Sequence, residues 1–65
     1  MDGLAVWHDG RTEFLPGRGN GASLILRRDH LDIEFQAVAY TVHPRTKKPT
    51  VRIWVPKVAL PESFG

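Results

Sequence analysis

The sequence predicts an all-β chain: a small, strongly bent antiparallel meander of five to six strands, curling into an SH3-like or OB-like barrel and followed by an irregular C-terminal tail. Three observations carry this prediction. Six glycines and five prolines punctuate the 65 residues, and the apolar runs between them are rich in Val, Ile, Phe, Tyr and Trp, which suit a pleated, half-buried surface. Helical periodicity is poor throughout. The core-facing apolar positions also change parity along one extended segment, and an unbroken strand of period two cannot do that.

The first expected hairpin sets Leu4–His8 against Arg11–Leu15 across Asp9-Gly10, a dipeptide favoured in type I′ turns because both central residues need positive φ. A two-residue turn pairs Trp7 with Thr12 and Ala5 with Phe14. Ala5, Trp7 and Phe14 then share a face, with Leu4, Val6, Glu13 and Leu15 on the other. Pro16-Gly17-Arg18-Gly19-Asn20-Gly21 follows and reads as a connecting loop.

The second hairpin sets residues 22–28 against 31–37, with Asp29-His30 as the turn. Directly opposed residues lie on one face, so Leu24, Leu26, Ile33 and Phe35 line the core side and Leu31 stands at its edge. Arg27 falls opposite Asp32. The third hairpin sets Val38–His43 against Thr50–Val55 across the six residues from Pro44 to Pro49. This register opposes Val42 to Val51, Tyr40 to Ile53 and Val38 to Val55 as a core face. Ala39, Thr41, His43, Thr50, Arg52 and Trp54 take the reverse face. Core positions are thus odd from Leu31 to Phe35 and even from Val38 to Val42. The change requires a β-bulge near Gln36-Ala37-Val38, or passage of the strand between two sheets.

The chain reads as a single domain, 1–65, with a tail over 56–65 that is extended or forms one short helical turn around Val58–Leu60. No cysteine is present, which excludes disulfides, thiolate metal sites and a thiol nucleophile. No apolar run approaches the roughly 20 residues of a spanning helix. Met1-Asp2-Gly3 lacks the basic and apolar regions of a secretory signal. The expected location is therefore cytoplasmic, with no membrane partner.

Nine Lys and Arg stand against seven Asp and Glu, a mild bias whose distribution matters more than its sum. Residues 43–57 hold Arg45, Lys47, Lys48, Arg52 and Lys57 and no acid. A basic hairpin tip beside an exposed aromatic suits nucleic acid, because cations neutralise phosphates and a flat ring stacks on a base. The expected DNA- or RNA-binding residues are Arg45, Lys47, Lys48, Arg52, Trp54 and His43, with Arg18 assisting from the glycine-rich loop. That loop matches no phosphate-binding motif and no helix follows it.

The alternative is a protein-interaction or assembly module. It would be a homo-oligomer such as a homodimer, or an inhibitor or adaptor of another protein. It would use edge strands and a tail carrying Val58, Leu60 and Phe64. His8, His30 and His43 lie in different hairpins without ligand spacing, so no metal or other cofactor is expected. Ser23 and Ser63 have no nucleophile elbow around them. No catalytic residues are expected, and the chain reads as non-enzymatic.

Overall fold

A computed structural model describes residues 1–57, which form five strands: β1 (Asp2–Val6), β2 (Thr12–Leu15), β3 (Ser23–Arg28), β4 (Leu31–Val42) and β5 (Pro49–Pro56). They make one sheet in the order β2-β1-β5-β4-β3, curled into a half-barrel. The all-β class, the five strands and the strong bend agree with the sequence reading. One pairing was not foreseen. β1 lies parallel to β5, whereas the other three pairs are antiparallel.

The predicted phase change is present as a β-bulge. Ala37 pairs with Trp54 but Ala39 pairs with Ile53, leaving Val38 as the extra residue. Such an insertion bends its strand and raises the local twist. The sheet curls until its two edge strands approach each other. There the Arg28 guanidinium of β3 meets the Glu13 carboxylate of β2. Arg28 also lies 5.8 Å from the centre of the Trp7 ring, which packs edge-on against Phe35 at 5.0 Å.

The second hairpin has the expected register, with Leu24 opposite Phe35, Leu26 opposite Ile33 and Arg27 opposite Asp32. Asp29 and His30 both take positive φ, the type I′ geometry of a two-residue turn. The other two hairpins are each displaced by one residue. In the first, Leu4 opposes Phe14 and Ala5 opposes Glu13. The loop there has three residues, because Trp7 N–H donates to the Arg11 carbonyl and Gly10 N–H to the Trp7 carbonyl. Gly10 supplies the left-handed residue (φ 89°) that a three-residue loop requires. The Asp9 carboxylate accepts from the Arg11 amide at 3.0 Å. That hydrogen bond, and then the Arg11 guanidinium at 2.7 Å, hold the Asp9 carboxyl below its ordinary value.

In the third hairpin, Tyr40 opposes Arg52 and Thr41 opposes Val51. A one-residue slip exchanges the faces of a strand, so the even residues of β5 turn inward. Trp54 is fully buried, whereas Val38, Tyr40 and Val42 are exposed. Both assignments reverse the sequence reading. The physical reason is space. In this register the indole of Trp54 is flanked by Ala5 on β1 and Ala37 on β4, two side chains small enough to admit it. Trp54 and Ala5 form the core with Leu15, Leu24, Leu26 and Phe35, and Trp7, Ile33 and Ala37 pack around it.

The glycine-rich connector is a fitted plug. Trp54 Nε1 donates to the Arg18 carbonyl at 2.8 Å and Arg52 Nε donates to the Gly19 carbonyl at 2.7 Å. The Asp2 carboxylate accepts from Gly17 N–H at 2.7 Å. A Cβ on Gly19 would collide with the Asp2 carbonyl oxygen and lie 2.6 Å from that of Met1. Both are backbone atoms that cannot swing aside. Gly19→Ala is therefore expected to cost about 1–3 kcal/mol through overpacking. Thermal unfolding should register this as a fall in Tm of roughly 4–8 °C per kcal/mol.

Candidate nucleic-acid interface

Beyond the bulge β4 has left β3 behind, but β5 keeps β1 as its other neighbour from Val51 to Trp54, so β4 and β5 stand free as a two-stranded ribbon from Val42 to Thr50. Every residue from Val38 to Thr50 is exposed, and the molecule is 46 Å along its longest axis against 27 and 21 Å across. The ribbon closes at a compact tip. His43 N–H donates to the Lys48 carbonyl and Lys47 N–H donates back to the His43 carbonyl, each at 2.9 Å. Lys47 takes a positive φ of 62°, so the chain reverses over four residues rather than six. Pro44 and Pro49 bracket the turn with fixed φ.

Within that tip, His43 works on the backbone. Its Nδ1 accepts from the amides of Arg45 at 3.1 Å and Thr46 at 3.3 Å. Thr46 Oγ1 accepts from Lys48 N–H at 3.3 Å, and the Thr41 and Thr50 hydroxyls join across the strands at 2.7 Å. Arg45, Lys47 and Lys48 are thus carried on a tip whose backbone is held from several sides. Among the described residues none of the three has a carboxylate partner.

At the base of the ribbon, Arg52 and Arg18 come together around Trp54. Arg52 is half-buried, its guanidinium 5.9 Å from the indole centre, and it spends its Nε donor on the plug. Arg18 gives its carbonyl to Trp54 Nε1 and leaves its side chain exposed. The structure thus brings Arg18 beside Arg52, two residues 34 positions apart in sequence. It removes Trp54 as a stacking platform, because that ring has no accessible surface. The aromatic on this face of the ribbon is Tyr40, directly opposite Arg52 and 58% exposed. Sequence reasoning placed Tyr40 in the core. The signal that could have found it is the pair of small residues, Ala5 and Ala37, which mark where the large ring must go.

A concavity lies at the open side of the half-barrel, a cleft of about 330 Å³ lined by Trp7, Arg11, Glu13, Arg28, Asp29, Leu31 and Ile33. Both of its cations are paired, Arg11 with Asp9 and Arg28 with Glu13. Among the described residues no three His, Asp or Glu gather as a metal site, and no helix is long and apolar enough to cross a membrane. Val58, Leu60 and Phe64, the expected partner-binding residues, lie outside the described residues.

The fold and the site define a class: a small half-barrel with a protruding cationic ribbon. Comparison with protein-family models, curated proteins and solved structures finds no match.

Proposed function

We propose that this protein binds nucleic acid through the β4–β5 ribbon, with Arg45, Lys47 and Lys48 on phosphates and Arg52, Arg18 and Tyr40 supporting contacts at its base. The observation that carries the reading is charge segregation. Residues 1–37 contain four cations and six acids, whereas residues 38–57 contain five cations and no acid. Of those five, Lys57 lies past the far end of β5 and pairs with Glu34, which leaves Arg45, Lys47, Lys48 and Arg52 on the ribbon and its base. Within residues 1–37, three of the four cations, Arg11, Arg27 and Arg28, are paired with carboxylates. The fourth, Arg18, stands at the ribbon's base. An excess of unpaired positive charge on one projecting element is the electrostatic footprint of a polyanion partner. The reading is of a binding protein rather than an enzyme. The cleft at the other end offers no Ser, Thr, His or Lys as a nucleophile. Titrating labelled oligonucleotides by fluorescence anisotropy at several salt concentrations tests the proposal. Affinity should fall steeply with salt, by about 0.9 log unit per log unit of salt for each phosphate contacted on a duplex. Absence of binding at low salt would end it.

A second reading, assembly of this chain with itself, is favoured by one observation. Across the outer face of the sheet, Phe14, Leu4, Ile53 and Ala39 form a row of register partners over four strands, and Phe14 is 55% exposed. An apolar row on an uncovered sheet face is what a second layer would bury. If it does, Phe14→Lys should turn a dimer into a monomer in sedimentation equilibrium. A wild-type monomer at high concentration removes this reading.

A further inference from the structure

We infer that the ribbon's partner is double-stranded B-form DNA, entered through the major groove. This rests on the nucleic-acid reading above and narrows it to one class of polymer. Three features point the same way. The cationic surface is a projection, not a channel. Single strands are generally held in a charged groove that tracks their backbone, with several aromatic rings stacking successive bases. Here residues 38–50 stand exposed, and the ribbon presents one exposed aromatic, Tyr40, because Trp54 is enclosed in the core.

The dimensions fit a groove. Two strands about 4.8 Å apart make a ribbon roughly 10 Å wide with its side chains. The B-DNA major groove, about 12 Å wide and 8.5 Å deep, admits such a ribbon, and the minor groove at about 6 Å does not. The free part of the ribbon begins at Val42, past the last pairing with β1. At ordinary strand rise the residues from Val42 to the tip reach about 10 Å, enough to span that depth. A-form RNA offers a major groove too narrow and deep for the ribbon.

The chemistry along the ribbon is also arranged for a groove. Thr41, Thr46 and Thr50 supply hydroxyls near the tip, and Val42 supplies an apolar surface of the kind that meets a thymine methyl. Arg18 and Arg52 lie farther back, where the walls of a groove carry phosphates. The tip is preorganised by the His43 and Thr46 hydrogen bonds, which favours a rigid receptor over a flexible strand.

The test compares the full chain on a short labelled DNA duplex, on each of its separated strands and on the RNA duplex of the same sequence. Methylation footprinting on the DNA duplex accompanies it. The expected result is DNA-duplex binding at least roughly tenfold tighter than to either alternative. Guanine N7, in the major groove, should be protected, and adenine N3, in the minor groove, should not. Tighter binding to single strands or to RNA, or protection of adenine N3, overturns the inference and leaves the nucleic-acid reading standing. No salt-sensitive binding to any of the polymers overturns both.

Discussion

Trp54→Ala is expected to unfold much of the protein. The indole is fully buried, and truncating a buried tryptophan costs about 3–5 kcal/mol. A chain of this size holds only about 3–10 kcal/mol in total, so the loss consumes a third of the stability or all of it. The damage reaches beyond the cavity, because Trp54 Nε1 also holds the Arg18 carbonyl and the plug at residues 16–21 loses its inner anchor. Trp54→Phe separates the two effects. It keeps most of the apolar surface but strands that carbonyl, for about 1–3 kcal/mol. Urea unfolding followed by circular dichroism measures both variants. Trp54→Phe should still bind oligonucleotides, since its ring has no surface to offer a base. A loss of binding by a folded Trp54→Phe protein would return the indole to the interface.

The second large effect is expected at the tip. Replacing Arg45, Lys47 and Lys48 together by glutamine removes three unpaired cations from exposed positions, so stability should change little. If each cation meets a phosphate, the slope of log affinity against log salt becomes shallower by about 2.7. Between 50 and 200 mM salt the wild-type protein should then lose about 40-fold more affinity than the variant. Anisotropy titrations at the two salt concentrations measure this directly. A triple variant with unchanged slope would mean that the tip stands clear of the polymer. The cations would then serve only to keep an exposed ribbon from pairing with other strands.

The two experiments separate the halves of the molecule, and the same division runs through what the sequence made legible. The hairpin from Ser23 to Ala37 could be read in full. Its faces differ sharply, with Leu24, Leu26, Ile33 and Phe35 on one side and Arg27, Asp32 and Glu34 on the other, and a two-residue turn leaves no freedom of register. The bulge at Val38 was legible for a related reason, since a reversal of apolar parity has few physical solutions. The cationic tip was legible because charge is written directly in the residues.

The remaining elements depended on quantities that local pattern does not contain. β1 and β5 are apolar on both faces, as Leu4-Ala5-Val6 and Ile53-Trp54-Val55 show, so alternation could not choose which side turned inward. The turns decided it. Asp9-Gly10 belongs to a three-residue loop, and the Pro44–Pro49 segment closes over four residues. The extra residue of the first loop slips its partner strand by one. The third loop is two residues shorter, and an irregularity between Thr41 and Val42 takes one residue back, so the net slip is again one and the faces exchange. The parallel pairing of β1 with β5 then sets Ala5 beside Trp54, and Ala37 completes the space on the other side. Composition, strand content, the bend and the segregation of charge were therefore properties of the sequence alone. The burial of Trp54, the exposure of Tyr40 and the meeting of Arg18 with Arg52 arose only in three dimensions. They depend on which large ring finds two alanines flanking it, and those alanines come from strands that are distant in the chain.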